Sequence, residues 1–264
     1  FQLLLRLLPN IPHHQQVLLE KSEWLINNQP ISAQPSPPDS DGRVAFPLPN
    51  LKLQPLMYLR LTYRISVTPW LASRGPFTPC QAPDLAFWQE APGLSLDDPR
   101  LEELHQRLKK VPGNGMQNLY LAVGKGLKYK ENFKDHPVAW TLSHPEESDC
   151  TEFAGLLTAL CLKRGLPARM VTGFLIKSDL LNKETNIGHA WCEVYFPGKG
   201  WIPIDPTLGP NLYWAYFGNL LSDQIVFDRP EPQGKARVSI NITSNRSDIP
   251  LEISSSFFCS VLQP

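Results

Sequence analysis

Apolar and polar residues follow two different periods along the chain, and the change comes near residue 97. The front part has a period of two, and its clearest segment runs from Leu59 to Thr68. Strict alternation over ten residues predicts a strand with one apolar and one polar face. Segments 2–8, 16–26 and 43–48 predict weaker strands. We therefore predict an antiparallel β module over residues 1–70.

Proline is concentrated in this front part of the chain. Fifteen of the 27 prolines lie in residues 1–99, so the front third should be rich in turns and poor in helix. Residues 71–99 show no clear periodicity and are predicted to form a Pro-rich connector. We place an N-terminal β module with its connector at residues 1–96 and a second domain at residues 97–264.

Beyond residue 97 the apolar residues recur every three or four positions, which predicts three helices. The first begins near Asp98 and ends before Pro112, and the second runs from Met116 to about Leu127. The third is the clearest, because its apolar face repeats at helical spacing through Phe153, Leu156, Leu157, Leu160 and Cys161. Ser148 or Asp149 can cap its start, and Gly165 with Pro167 closes it.

Strands follow the helices at 168–175, 190–196, 201–204, 224–227 and 237–243. Helices followed by a run of strands indicate an α+β fold with an antiparallel sheet, because a parallel sheet would need alternating strands and helices.

Composition and charge exclude several classes of protein. Hydrophobic residues make up 42% of the chain, and 25 basic residues balance 25 acidic ones. A net charge of zero argues against a dedicated nucleic-acid binder or a polybasic membrane binder. The apolar opening FQLLLRLLP is too short for a membrane span and contains Arg6. We expect no nucleic-acid or membrane partner.

The five cysteines are few, odd in number and without a CxxC pair. This usage argues against a disulfide scaffold and favours a reducing compartment, so we predict a cytoplasmic protein. It also makes a catalytic thiol worth testing.

Three residues have positions that suit thiol chemistry. Cys150 lies in the first turn of the third helix, where free N–H groups and the helix dipole favour a thiolate. His189 opens one strand and Asp205 follows another, and a tight turn at 197–200 separates the two strands. A hairpin would bring His189 and Asp205 opposite each other, or within about three residues of it. Taken singly, each residue also fits an ordinary structural role.

Three sequence blocks around these residues carry a family signature. They are DCTEFAGLLTAL at 149–160 with RGLPAR at 164–169, GHAW at 188–191 with EVY at 193–195, and GWIPIDPT at 200–207. Together they resemble the transglutaminase-like superfamily over roughly residues 97–210. The front segment is similar to the N-terminal β region of bacterial members. Beyond residue 210 the histidine-containing stretch of many bacterial members is missing.

The resemblance implies a papain-like α+β fold with Cys150 as nucleophile, His189 as general base and acid, and Asp205 as the residue that orients the imidazole. Attack on an amide of a protein or peptide would give a thioester, which water or an amine then resolves. Hydrolysis is the expected outcome, and glutamine acyl transfer to an amine is the alternative. No cofactor is needed. Tyr129, Trp140 and Trp191 are tentative substrate-binding or oxyanion residues.

Two other interpretations compete with a catalytic thiol. A zinc site is disfavoured because His189 and Cys192 are three positions apart on one strand and face opposite sides. A papain-like module that binds partners without catalysis is the other rival, and it has no chemical need for Cys150, His189 and Asp205 together.

Overall fold

The structure is a computed structural model of the 264-residue chain. It describes residues 2–40, 42–47, 57–71, 84–132, 134–176, 182, 184–185, 188–208, 213–230, 238–241 and 257–258. Helices and antiparallel sheets are both present, as the α+β prediction requires. Residues 72–83 of the predicted connector and the ends of the predicted strand 237–243 lie outside the described residues.

The front part is built from strands, in agreement with its period of two. They are β1 (Gln2–Arg6), β2 (Gln15–Ile26), β3 (Gln29–Ser32), β4 (Arg43–Pro47), β5 (Met57–Val67) and β6 (Trp70–Leu71). One sheet has the order β3-β2-β5, and in another β1 pairs with β4. Asn27 and Asn28 have positive φ values of 51° and 62°, which makes the two-residue turn that joins β2 to β3. A small core collects around Trp24 and Phe46.

Six helices lie in the described part of the chain: α1 (Leu85–Gln89), α2 (Pro99–Lys109), α3 (Gly115–Gly126), α4 (Val138–Thr141), α5 (Cys150–Lys163) and α6 (Tyr213–Tyr216). The three predicted helices are α2, α3 and α5, so that prediction is confirmed. The connector prediction missed α1, because five residues are too few to show a helical period. None of the helices described combines the length and the apolar character needed to cross a bilayer.

The second part is organised around a four-stranded antiparallel sheet of β7 (Ala168–Leu175), β9 (His189–Phe196), β10 (Gly200–Ile204) and β12 (Gln224–Asp228). The order is β10-β9-β7-β12. Helix α5 packs on β9 and β7, and its residues Leu157, Ala159 and Leu160 are fully buried. A helix buried on nearly all sides is held rigidly, which fixes both of its ends relative to the sheet.

Pairings between short strands connect the two parts. The remaining strands are β8 (Glu184–Thr185), β11 (Asn219–Leu220), β13 (Val238–Asn241) and β14 (Phe257–Phe258), of which β8 and β14 pair with each other. Strand β6 of the front module pairs with β11, and β13 pairs with β1. Two pairings therefore cross the predicted boundary at residue 97, and the exact division into domains stays a prediction.

Candidate active site

Cys150 is the first residue of α5, where the sequence predicted it. The helix begins with a capping box: Thr151 N donates to Asp149 Oδ1 at 2.8 Å, and Asp149 N donates to Glu152 Oε2 at 2.8 Å. Cys150 is half-buried and carries a free thiol. The N-terminal end of a helix is electropositive and stabilises a thiolate over a thiol.

The buried Glu152 carboxylate holds the segment that precedes the nucleophile. Asn132 Nδ2 donates to Glu152 Oε2 at 3.1 Å, and His136 N donates to Oε1 at 3.1 Å. Burial disfavours the Glu152 carboxylate, but these bonds and the Asp149 N–H lower its pKa overall. Burial raises the pKa of the adjacent Asp149, and Glu152 adds to the rise. The start of α5 is therefore fixed by a dense set of charged hydrogen bonds.

The β9–β10 hairpin brings His189 and Asp205 together. Its register pairs Ile204 with Cys192, so Asp205 follows the last pair and lies beside the start of β9. His189 Nε2 and Asp205 Oδ2 are 2.7 Å apart, and the two residues are 9% and 1% exposed. Thr207 N donates to the other oxygen, Asp205 Oδ1, at 3.1 Å. The hairpin predicted from the turn at 197–200 is therefore present with the expected proximity.

The pKa of His189 depends on its contacts with both Asp205 and Cys150. Burial lowers the pKa of the imidazole, but the charge of Asp205 and its hydrogen bond outweigh burial, and Cys150 adds a further hydrogen bond and charge. The net effect raises the pKa of His189 to about 10. Because Nε2 is held by Asp205, Nδ1 is the nitrogen left to face the sulfur. The site thus favours imidazolium beside Cys150.

The three tentative aromatic residues lie in different surroundings. Tyr129 is 58% exposed and forms a backbone bridge with Ser148, two residues before the nucleophile. Partial burial raises the pKa of the Tyr129 phenol, and the charges of Cys150 and Asp149 add to the rise. Tyr129 therefore lies at the mouth of the site, close enough to Cys150 for their charges to interact.

The other two aromatic residues are enclosed by their neighbours. The Trp140 ring is stacked between His136 and His144, with ring centroids 3.7 Å and 4.4 Å away. Trp191 is 0% exposed, and its ring lies 6.0 Å from His189 and against Gly173. A fully buried indole supports the imidazole from within the core, so Trp191 lines the base of the site rather than an open cleft wall.

Sequence reasoning missed several polar residues around the site. Glu152 could have been found, because D-x-x-E at 149–152 has capping-box spacing. Tyr216 and Asp223, whose charges or hydrogen bonds act around Asp205 and His189, have no local motif. Over the described ranges no group of three His, Cys, Asp or Glu side chains has the geometry to hold a metal ion.

Part of the chain is similar in sequence to known proteins. The sequence model of the transglutaminase-like superfamily matches residues 102–206. A protein-glutamine gamma-glutamyltransferase of Pseudomonas aeruginosa is 29% identical over 98 residues, which are 29% of this chain and 14% of the relative. An uncharacterized protein of Bacillus subtilis, YebA, is 32% identical over 69 residues, which are 23% of this chain and 9% of that protein. The chain therefore aligns with a small part of each of these relatives.

A similar fold is found among solved structures. The crystal structure of a candidate cysteine protease from Cytophaga hutchinsonii superimposes with a TM-score of 0.56 at 18% identity. The superposition covers 90% of this chain and 79% of that one. At this level of identity the likeness concerns the fold, and it includes both the front strands and the sheet with its helices.

Proposed function

Because residues 102–206 form a domain of the transglutaminase-like superfamily, a superfamily of enzymes, we propose that this protein is a thiol-dependent amide or peptide bond hydrolase. The superfamily, fold and enzyme class expected from the three sequence blocks are thereby confirmed, whereas the reaction and its residues are proposed. One observation carries the proposal: the His189 imidazole lies between the Asp205 carboxylate, at 2.7 Å, and the Cys150 thiol.

In the first half-reaction, the Cys150 sulfur attacks the carbonyl carbon of a protein or peptide amide. The imidazolium of His189 then gives its proton to the leaving amine as the tetrahedral intermediate collapses to a thioester. Asp205 holds the ring in one orientation and stabilises its positive charge through Nε2. The raised pKa of His189 keeps the proton available at neutral pH.

The developing oxyanion needs donors near the nucleophile. The Cys150 backbone N–H is one, because the first N–H groups of a helix have no intrahelical acceptor and Asp149 takes the neighbouring Thr151 N–H. The phenol of Tyr129, at the mouth of the site, is the side chain best placed to add a second donor. In the second half-reaction neutral His189 removes a proton from water, which attacks the thioester and releases the acid.

Acyl transfer to an amine is the second candidate. It is favoured by the similarity to a protein-glutamine gamma-glutamyltransferase, and it shares the thioester with hydrolysis. The two reactions differ in whether water or a primary amine reaches the thioester first.

The test is to incubate the protein with peptide libraries, with and without a primary amine, and to analyse the products by mass spectrometry. Hydrolysis predicts cleaved or deamidated peptides in both arms, and transfer predicts amine adducts in the second arm. Cys150→Ala should abolish both products while the protein stays folded. Cys161→Ala, which removes a buried thiol of the same helix, should keep activity. Turnover in Cys150→Ala at the wild-type rate would refute the proposal.

A further inference from the structure

The segment that follows Asp205 folds back onto the edge of the catalytic hairpin. Asp205 N donates to Tyr216 O at 2.9 Å, and Gly218 N donates to Pro203 O at 2.8 Å. Ile204 and Phe217 form a bridge between these two bonds. The backbone of residues 216–218 therefore holds the end of β10, from which the Asp205 carboxylate reaches His189.

A second carboxylate, that of Asp223, interacts with this segment. The side chains of Tyr216 and Asp223 share a hydrogen bond, in which the phenol donates to the carboxylate. The backbone of Asp223 is fixed separately, because Ile176 N donates to Asp223 O at 2.7 Å at the end of β7. Asp223 thus links the end of one central strand to the loop that holds Asp205.

Asp223 lies within the electric field of the catalytic pair. Burial raises the pKa of its carboxyl, the negative charge of Asp205 adds to the rise, and the positive charge of His189 opposes it. An attraction between two charges is mutual, so the Asp223 carboxylate also favours the imidazolium of His189, by less than Asp205 and Cys150, which dominate the pKa of His189.

The hydrogen bonding of Asp223 is incomplete. Its Oδ1 atom is buried and has no donor among the residues that the structure describes. A buried carboxylate with a purely structural role is normally satisfied at both oxygens, because an unpaired one costs stability. The backbone N–H of Asp223 and the charge of His189 are the main influences that favour its carboxylate.

We propose that Asp223 is a positioning residue for the Cys150–His189–Asp205 site: it anchors the Tyr216 loop that holds Asp205, and its charge stabilises the His189 imidazolium. The inference rests on the proposed function for its catalytic meaning. The groups that face Asp223 are His189 on β9, Asp205 after β10 and Tyr216 on α6. Below the raised pKa of its own carboxyl, Asp223 is neutral and its charge effect disappears.

The test uses protein labelled with ¹⁵N-histidine, and it follows the imidazole nitrogens of His189 by NMR as the pH is raised. Asp223→Asn keeps the shape and removes the charge, so we expect His189 to titrate at a lower pH than in the wild type, by less than about one unit. Asp223→Glu should retain a titration close to that of the wild type. Glu90→Gln, at an exposed position, is the control. Coincident His189 titrations in Asp223→Asn and the wild type would overturn the proposal.

Two further readouts keep the test decisive. Where the protein turns over peptide, Tyr216→Phe should lower kcat and leave KM nearly unchanged, because the buried Tyr216 side chain offers little surface to a substrate; unchanged kcat contradicts the anchoring role. Should Asp223→Asn not fold, the wild-type His189 signal must still show a second, acidic inflection where Asp223 titrates, and its absence overturns the charge effect. Since NMR needs no substrate, failure to find turnover would count against the proposed function alone.

Discussion

Two buried clusters of charge lie on the same sheet, and they are built in opposite ways. Toward the far end of β9 from His189, Glu193 is 0% exposed and both of its oxygens are paired: Arg169 Nε donates to Oε2 at 2.9 Å and Arg229 Nε to Oε1 at 3.1 Å. The Arg169 guanidinium also lies 4.1 Å from the ring centroid of Trp201. The carboxylate and the two guanidinium groups of this cluster stay charged near neutral pH.

At the start of the same strand, the positive group is an imidazole that can lose its proton. It is surrounded by the carboxylates of Asp205 and Asp223 and by the Cys150 thiol. Acidic groups are in excess there, and one carboxylate oxygen lacks a donor. In the structural cluster both carboxylate oxygens are paired with permanent cations, whereas the proposed catalytic cluster is titratable and one of its carboxylate oxygens lacks a donor among the described residues.

The largest expected effect comes from changing a carboxylate to an amide in the catalytic cluster. Asp205→Asn removes the charge that stabilises the imidazolium. It also lets the His189 ring adopt an unproductive orientation. We expect kcat to fall by about 10²- to 10⁴-fold, and the melting temperature to fall as well, because the raised pKa of His189 depends on the charge of Asp205. Steady-state kinetics and thermal unfolding of the same samples check this, with the exposed Asp97→Asn as the control. Full activity in Asp205→Asn would show that the cluster around His189 has no catalytic role that the Glu193 cluster lacks.

The same chemical change in the structural cluster should affect stability and leave the residues beside Cys150 intact. Glu193→Gln leaves two buried guanidinium groups without their counter-charge, which costs about 3–5 kcal/mol of unfolding free energy. Urea unfolding measures this, and Glu103→Gln, at an exposed position, is the matched control. A stable Glu193→Gln protein with reduced kcat would contradict the assignment of Glu193 to structure.

The two clusters should lose their contributions to stability at opposite ends of the pH scale. The folded pKa of His189, about 10, lies above its ordinary value of 6.5, so its stabilising contribution is complete below about 6.5 and is lost as the pH rises through 10. Arg229 and Arg169 overcome the effect of burial and lower the pKa of Glu193 below its ordinary 4.5, so its contribution is lost as the pH falls through that lowered value.

Melting temperatures from pH 3 to 11 check both signs. His189→Gln should flatten the alkaline loss relative to the wild type, and Glu193→Gln should flatten the acidic loss. If either variant kept the wild-type slope at its end of the scale, that cluster would not be the source of the loss.

The smallest expected effect concerns the seam between the front module and the edge strand of the catalytic sheet. Gln15 Nε2 donates to Val226 O at 2.9 Å, and Val226 N donates to Gln15 Oε1 at 2.8 Å. Gln15→Leu leaves both backbone groups of Val226 unpaired and should cost about 1–3 kcal/mol. Gln16→Leu, at the exposed neighbouring position, should be close to neutral in urea unfolding. Equal losses in the two variants would show that the seam bonds do not matter.

The sequence predicted the parts of the protein that depend on local patterns. Helix α5 and strand β7 follow from uninterrupted apolar periodicity, and the observed bounds of β7 equal the predicted 168–175. The proximity of His189 and Asp205 follows from the short turn between their strands. In these cases the information lies within about twenty residues of the chain.

The other features depend on contacts between residues that are far apart in the sequence, and a local pattern does not reveal such contacts. Glu193 looks like a single polar interruption in an apolar strand, and its partner Arg229 is 36 positions away. Asp223 lies near the site because β11 pairs with β6 of the front module and β12 pairs with β7. Helices as short as α1 and α4 are stabilised by packing rather than by their own sequence.

The central claim is that the sulfur of Cys150 and the imidazole of His189 form one reactive pair, and selective alkylation tests it most directly. The measurement is the rate of iodoacetamide labelling at each cysteine at pH 6, read by peptide mass spectrometry in the wild type and in His189→Ala. We expect Cys150 to be labelled well before the buried Cys161 and Cys192, and its labelling to slow markedly in His189→Ala. Equal labelling of Cys150 in the two proteins, or labelling spread evenly over the cysteines of the folded wild type, would contradict it.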